Sequence, residues 1–292
     1  MITGILGVLG LMTAWFGVAF AKDLSENKAA METETNFVTS GLIGFTTNFF
    51  DTLGIGSFAP TTALLRAFKQ IQDRVLPGTL NVSCTPPVVA QAFIFITAIE
   101  VEPITLISML ASATLGAWLG AGIVAGLPEK KIQMGMAVAL FIAAFLMLSG
   151  QMGWMPGGGD AIGLTGGKLI IAIVGNFILG ALMTLGIGLY APSMVLVYLL
   201  GMSPAVAFPI MMGSCAFLMP VASVKFVKEG AYNRKASLAI AAFGLVGVFI
   251  AAYIVKSLPL DILRWLVIGV ITYTSVTMFK SATKSEDSSK AA

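Results

Sequence analysis

Between Val75 and Pro128 the chain carries only two charged residues, Glu100 and Glu102. Uncharged apolar runs of about 20 residues match the roughly 30 Å hydrocarbon core of a bilayer. Charged residues make up only 11% of the 292 residues, whereas a typical soluble domain contains about 25%. The sequence therefore predicts an all-α polytopic membrane protein, because helices satisfy their backbone polar groups internally in lipid.

Several classes of function are excluded by what the chain lacks. Histidine is absent, which excludes a His-ligated metal or haem and a Ser-His-Asp triad. The two cysteines are not spaced as metal ligands. Basic residues lie at the ends of apolar segments rather than in a patch with aromatic residues, which argues against nucleic-acid binding. We therefore expect no enzyme activity, no metal and no cofactor.

The two termini differ from the rest of the chain. Residues 1–21 are apolar and are followed by a polar linker over 22–36. The sequence Ala19-Phe20-Ala21 fits a signal-peptide cleavage site, but no Lys or Arg precedes the long apolar stretch, so a retained membrane helix is favoured. Residues 281–292 are polar and lack aromatic side chains, which predicts a disordered tail.

A nine-residue phrase occurs twice, as TLGIGSFAP from Thr52 to Pro60 and as TLGIGLYAP from Thr184 to Pro192. Further features match in nearly the same register: Ser83-Cys84 with Ser214-Cys215, Leu127-Pro128 with Leu258-Pro259, and Phe45 with Phe177. Such self-similarity at a fixed spacing predicts an internal duplication. Its parts are repeat 1 over residues 37–150, a glycine-rich linker over 151–167 and repeat 2 over 168–280.

The distribution of Lys and Arg predicts that the two repeats are inverted in the membrane. The loop at Glu100–Glu102 has no basic residue beside it and is expected outside, whereas its equivalent at Ala231–Lys235 is flanked by basic residues and is expected inside. Inversion requires an odd number of full crossings in each repeat, so we expect three full crossings and one re-entrant, broken helix per repeat. With the first helix this gives seven crossings, an outside N-terminus and a cytoplasmic C-terminus. Lys256 and Arg264, which flank a loop predicted outside, do not fit this pattern.

The repeated phrase has the composition of a helix break. Its glycines permit backbone angles that other residues resist, and its proline suits the first turn of a helix. We therefore expect short helices to begin at Pro60 and Pro192 and to point their N-termini at a shared centre. Each N-terminus carries free N–H groups and about half a positive charge. Two such termini facing each other predict a site for a small anion.

Candidate substrate-binding residues lie in the two breaks and in the matched Ser-Cys pairs: Gly54, Gly56, Ser57, Asn81, Ser83, Cys84, Gly186, Gly188, Ser214 and Cys215. The alternatives are glycines that only pack helices, hydroxyls that bond to their own helix and cysteines that fill small buried sites. A disulfide between the two cysteines is a less favoured alternative.

Asp51 is the candidate for proton coupling, because an ionisable residue at membrane depth is a functional hypothesis by default. The alternative is a carboxylate that caps exposed N–H groups or pairs with a lysine.

The duplicated glycine-rich phrase and the Leu-Pro before the last helix of each half resemble the TauE/SafE sulfite exporter family, as does GSCAFLMPVASVKF from Gly213 to Phe226. The resemblance spans about Thr39 to Lys280. It implies a multi-pass secondary transporter of a bacterial or archaeal-type plasma membrane, moving sulfite, a sulfonate or a related anion by alternating access, with proton coupling as an option. The alternatives are an anion channel and a transporter of a non-sulfur organic anion. The partners implied are the lipid bilayer and the small anion.

Overall fold

The computed structural model describes residues 2–28, 31–154, 158–186, 188–253 and 261–290. Over these ranges the chain is built of α-helices, with a 3₁₀ turn at Asp73–Val75 and no named strand. In chain order the helices are α1 Ile2–Glu26, α2 Phe37–Thr52, α3 Phe58–Ala67, α4 Leu76–Ala98, α5 Pro103–Ala125, α6 Glu129–Gln151, α7 Gly166–Met183, α8 Tyr190–Leu199, α9 Pro204–Lys228, α10 Arg234–Tyr253 and α11 Asp261–Lys290.

Seven of the described helices are long and apolar enough to cross a membrane, namely α1, α4, α5, α6, α7, α9 and α10. Large apolar side chains such as Leu11, Phe141 and Phe249 are exposed on them, as lipid-facing surfaces require. The prediction of an all-α polytopic membrane protein is confirmed. The seven include α7, which the sequence analysis assigns to a re-entrant helix, and they do not include α11, whose side chains are described only in part.

The helices α2 and α3 form an antiparallel hairpin. Within it, the Thr61 hydroxyl donates a 2.8 Å hydrogen bond to the Thr47 hydroxyl. At its open end, the Thr35 hydroxyl donates to the backbone oxygen of Gln70 at 2.8 Å, and the Asn36 N–H donates to Gln70 Oε1 at 2.8 Å. The chain therefore enters and leaves this hairpin at the same end of the bundle.

The helices α7 and α8 form a second antiparallel hairpin of the same kind. Gly175 of α7 packs against the side chain of Leu196 of α8. At the open end, Lys168 Nζ donates to the backbone oxygen of Leu200 at 3.1 Å. This hairpin opens beside the segment in which the Glu102 N–H donates to the Ile162 oxygen, at the far end of α4 from Gln70. The two hairpins therefore open at opposite ends of the bundle.

Each hairpin packs against a helix of the other half, α2 along α10 and α7 along α5. Between these pairs lie α4 and α9, the two most deeply buried spans. They are antiparallel, since Gly78 near the start of α4 contacts Phe226 near the end of α9, and Gly213 of α9 contacts Ile96 near the end of α4. Between these contacts the hydroxyls of Thr85 and Ser223 lie 3.0 Å apart.

Eight of the described basic residues cluster at one end of the bundle, called here the basic end: Arg66, Lys69, Arg74, Lys130, Lys131, Lys228, Arg234 and Lys235. There the carboxylate of Asp23, near the end of α1, accepts from Arg234 Nε at 2.7 Å. The Glu32 carboxylate accepts from the N–H groups of Arg234 and Lys235, which fixes the start of α10. The first helix is thus tied to repeat 2 at this end.

The opposite end is less charged. Glu102 caps α5 by accepting from the Ile104 and Thr105 N–H groups at 3.0 and 2.7 Å. The Thr105 hydroxyl and these N–H groups hold the pKa of the Glu102 carboxyl below its usual value. A carboxylate at a helix N-terminus is favourable, which accounts for an acidic residue in this otherwise apolar segment.

Some sequence-based boundaries differ from the described elements. The helix α1 continues to Glu26, into the predicted linker, and α11 continues to Lys290, into the segment predicted to be a disordered tail. Both extensions consist of residues compatible with a helix and contain no proline or glycine. Lys256 and Leu258-Pro259 lie outside the described residues.

Candidate functional site

Both copies of the repeated phrase interrupt a helical hairpin. The backbone has φ values of 90° at Gly54, 86° at Gly56 and 95° at Gly186. Residues with a Cβ rarely adopt such angles, so the glycines at these positions are required by the backbone. The break was predicted correctly in both halves.

The short helices begin two residues earlier than predicted, at Phe58 and Tyr190 rather than at Pro60 and Pro192. Each proline is therefore the third residue of its helix. The first four N–H groups of a helix have no partner within it, so a proline costs no hydrogen bond there. Neither short helix receives a side-chain cap from the residue before it, Ser57 or Leu189.

The two breaks meet at a small cavity of about 40 Å³. A Cβ built on Gly188 would lie 3.9 Å from the Cβ of Phe58, so the second break lies directly against the beginning of α3. The cavity brings together five of the predicted site residues, from both repeats: Asp51, Gly56, Ser57, Gly188 and Cys215. It is completed by α4 and α6, which contribute Val88, Ala143 and Met147.

A hydrogen-bonded cluster that joins the two repeats reaches the cavity through Asp51, Ser57 and Tyr190. Gln91 Nε2 of α4 donates to Asp51 Oδ2 at 2.8 Å and to Thr52 Oγ1 at 3.1 Å. The Tyr190 hydroxyl of α8 donates to Gln91 Oε1 at 2.7 Å and lies 3.4 Å from Asp51 Oδ2. The Ser57 hydroxyl and N–H also interact with the Asp51 carboxylate. Asp51 is almost fully buried, with 1% of its surface exposed. Within the described parts of the chain, the hydrogen-bond donors to its carboxylate, Gln91, Tyr190 and Ser57, are all neutral.

Much of the remaining lining is apolar or contains sulfur. Cys215 Sγ lies 3.6 Å from Met183 Sδ, and Met147 and Val88 also line the cavity. The two repeats contribute residues of different polarity to the cavity at matched positions. Asp51 is matched in the sequence by Met183, as Tyr190 is matched by Phe58.

Gln91 and Tyr190 were not singled out in the sequence analysis. The available signals were an amide in a long apolar helix, where polar residues are rare, and a tyrosine where the first copy of the phrase has phenylalanine. A search for features shared by the two repeats passes over both residues, because each one differs from its counterpart.

The predicted Ser-Cys pairs are buried close to the site, but only Cys215 lines the cavity. Both cysteines are free thiols, so the disulfide is not formed. The Ser83 hydroxyl turns back to the Leu80 oxygen at 3.4 Å. The Ser214 hydroxyl accepts from Asn176 Nδ2 at 2.9 Å. Both hydroxyls therefore have partners within the protein.

The remaining predicted residues support the surroundings of the site. Asn81 Nδ2 donates to the Pro77 oxygen of its own helix at 2.8 Å. Gly54 lies against the ring of Phe208, and Gly186 lies against Met136 and Leu80. None of these residues lines the 40 Å³ cavity. Over the described parts of the chain no cluster of three or more His, Cys, Asp or Glu side chains could hold a metal.

A second and larger cavity, of about 910 Å³, lies at the basic end. Its wall includes residues of the loop before α2, the end of α3 and the α9–α10 connection. Within it, Arg66 binds the Asp73 carboxylate through Nε at 2.8 Å and Nη2 at 3.0 Å. The charged groups of this cavity are of both signs, as in Glu32 and Lys69.

Comparison with known proteins agrees with this architecture. The family model described as Sulfite exporter TauE/SafE matches residues 1–147 and 169–292. The gap between the two matched parts contains the glycine-rich linker between the repeats. Neither a curated protein nor a solved structure gave a match. Since the two matched parts cover nearly the whole length, the chain belongs to the TauE/SafE sulfite exporter family.

Proposed function

We propose that this protein is a secondary transporter that moves a compact sulfur-containing anion, sulfite or a small sulfonate, across the membrane by alternating access. Membership of the family implies membrane transport of a sulfur-containing anion. The geometry of the cavity between the two hairpins supports alternating access as the mechanism.

The observation that carries the proposal is the meeting of two broken helical hairpins at one cavity. The first turns of α3 and α8 face this cavity without side-chain caps. Their free N–H groups and partial positive charges favour an anion. A cavity of about 40 Å³ suits an ion of a few atoms better than a bulky organic anion.

Inverted repeats are supported by the direction of equivalent helices. α4 and α9 occupy the same place in the two repeats and are antiparallel. A two-fold axis along the membrane normal would make them parallel, so the axis relating the repeats lies across the helices. The two hairpins open at opposite ends accordingly. With the basic end placed in the cytoplasm, the N-terminus is outside and the C-terminus inside.

The proposed alternating access uses the packing of each hairpin on a helix of the other repeat. Because α2 packs on α10 and α7 packs on α5, each hairpin moves with a helix of the opposite repeat. Rocking of one such unit against the other exposes the central cavity to one side of the membrane at a time.

Asp51 provides the coupling group in this proposal. A carboxylate and a bound anion in the same small cavity repel each other, by about 4 kcal/mol at 4 Å with an effective dielectric constant of 20. Substrate therefore binds when Asp51 carries a proton, so the anion and the proton move together.

The test uses the purified protein in sealed liposomes. We expect saturable sulfite uptake that a pH gradient accelerates and that unlabelled sulfite trapped inside the vesicles stimulates. This trans-stimulation distinguishes a carrier from an anion channel, because a channel does not alternate. Flux that never saturates and shows no trans-stimulation would contradict alternating access, and flux of carboxylates but not of sulfur anions would contradict the substrate class.

A further inference from the structure

We infer that Tyr190 recognises the transported anion and that Gln91 decides when the Tyr190 hydroxyl is free to do so. The inference rests on the proposed function, since it concerns the same cavity. It assigns roles to two residues that the comparison of the repeats does not select.

The charge of Asp51 sets the direction of the hydrogen bonds in this cluster. An ionised carboxylate only accepts, so the Gln91 amide must present Nε2 to Asp51 Oδ2, at 2.8 Å. Its Oε1 then faces the Tyr190 hydroxyl, which donates to it at 2.7 Å. With Asp51 ionised, the Tyr190 hydrogen is therefore directed at Gln91 and not into the cavity, although Tyr190 lines the cavity.

Protonation of Asp51 changes these hydrogen bonds. When the proton sits on Asp51 Oδ2, its O–H is directed at the Nε2 hydrogens of Gln91, so two donors face each other. Rotation of the amide by half a turn relieves this conflict: Oε1 accepts from Asp51 and Nε2 points at Tyr190. The Tyr190 oxygen then accepts, and its O–H turns into the cavity. Gln91 thus converts protonation of Asp51 on repeat 1 into a free donor on repeat 2.

Few other titratable groups of the described chain lie close enough to Asp51 to alter its hydrogen bonds with Gln91 and Tyr190. The titratable groups that interact with Asp51 are Tyr190 of α8, Cys84 of α4 and Cys215 of α9. Among the described residues that line the cavity, Asp51 is the only Asp, Glu, Lys or Arg. Tyr190 and Ser57 are the described hydroxyl-bearing residues of the cavity lining, and the Tyr190 hydroxyl is the one that Gln91 releases.

The matching positions of the other repeat lack the hydrogen-bonding groups of Tyr190 and Gln91. Phe58 occupies the matching position in repeat 1 and has no hydroxyl, and Gln91 is matched by Ala222. The relay therefore exists in one repeat only. Tyr190→Phe installs the side chain that the first copy of the phrase already has, with almost no change in volume.

The first test measures anion binding at two pH values, with methanesulfonate as the probe because its charge does not change between pH 5.5 and pH 8. Binding is compared between the wild type and Tyr190→Phe, alone and in a Gln91→Met background. A hydrogen bond to a charged group contributes enough to weaken binding about tenfold or more when it is removed. We expect this loss at pH 5.5 and little loss at pH 8.

In the Gln91→Met background the loss caused by Tyr190→Phe at pH 8 is expected to be larger than with Gln91 present, because no amide accepts from the hydroxyl and only the longer 3.4 Å contact with Asp51 Oδ2 competes for it. Tyr198→Phe, on the same helix but outside the cavity, is the matched control and should leave binding unchanged. An equal loss at both pH values in the presence of Gln91 would overturn the role of Gln91, and no loss at pH 5.5 would overturn the role of Tyr190.

A second test needs no substrate. Infrared difference spectra between acid and alkaline pH, recorded with side-chain-labelled glutamine, should show a protonated carboxyl band that is absent in Asp51→Asn. They should also show a shifted glutamine amide band that is absent in both Asp51→Asn and Gln91→Met. A carboxyl band without the amide shift would refute the relay even if transport is confirmed. If both bands appear but no sulfur anion is transported, the proposed function fails and the relay stands.

Discussion

Gly116 packs directly against the backbone carbonyl of Phe177, where α5 and α7 run side by side. The equivalent contact in the other half joins Gly247 of α10 to Phe45 of α2, where a Cβ would lie 2.5 Å from the carbonyl oxygen. Both pairs have the register of the repeated sequence, since Gly116 matches Gly247 and Phe177 matches Phe45. Each hairpin is thus held against the opposite repeat by the same close approach of two backbones.

This contact predicts that Gly116→Ala and Gly247→Ala each destabilise the protein. A methyl group has no space at either position, and overpacking typically costs about 1–3 kcal/mol. Thermal unfolding in detergent should therefore occur at a lower temperature in both variants. The control is Gly17→Ala in α1, where nothing lies within 4 Å of an added Cβ. Melting of the first two variants at the temperature of this control would contradict the close packing.

The proposed inversion predicts opposite sides for two matched loops. Glu100 and Glu229 are both exposed, one at each end of the bundle. Glu100→Cys and Glu229→Cys should be introduced singly after Cys84 and Cys215 have been replaced by alanine. A membrane-impermeant thiol reagent should label the first variant in intact cells and the second only after permeabilisation. Labelling of both from the same side would mean parallel repeats.

The helix breaks were predictable because their signal is local. The glycines at 54, 56 and 186 have backbone angles that few other residues adopt, so the presence of glycine at these positions already indicates the break. The exact start of the short helices was not predictable in the same way. A proline is accepted anywhere in the first turn, so Pro60 marks the beginning of α3 only to within two residues.

The polar wall of the cavity depends on contacts between distant parts of the chain. Gln91 and Tyr190 are 99 residues apart, and nothing in either segment alone indicates that they meet. Asn176 of α7 likewise donates a hydrogen bond to the Ser214 hydroxyl of α9. Sequence reasoning predicted a site at the breaks, where the structure has a cavity. It ranked matched residues above unmatched ones, however, and the polarity of the cavity comes from the unmatched ones.

A leucine at either of two cavity glycines should block transport, and at one of them it should also strain the backbone. Gly188→Leu should abolish sulfite flux, because the side chain fills the space beside Phe58 that the anion needs. Gly56→Leu should do the same and in addition strain the backbone, by about 1–2 kcal/mol, since φ is 86° at this position. Flux in liposomes is the measurement, with the amount of folded protein determined by size-exclusion chromatography.

The matched control for this pair is Gly188→Ala. Its Cβ would make an ordinary contact of 3.9 Å with Phe58, so most of the flux should remain. If the leucine variants transport sulfite as fast as the wild type, these glycines serve only to pack the helices and the cavity is not the binding site.

The central carboxylate gives the last prediction. Asp51→Asn keeps nearly the same volume and removes the charge, as protonation does. The introduced amide has an N–H that can donate to Gln91 as a protonated carboxyl does, which frees the Tyr190 hydroxyl, and no negative charge repels the anion. We therefore expect binding within about threefold of the wild type, since both neutral forms offer the same hydrogen bonds. Transport, however, should no longer respond to an imposed pH gradient, because no proton can be released from this site during the cycle. Counterflow exchange of sulfite at equal pH on both sides should persist, which separates a lost coupling group from a misfolded protein. A variant whose net flux still follows the pH gradient like the wild type would show that the coupling group lies elsewhere.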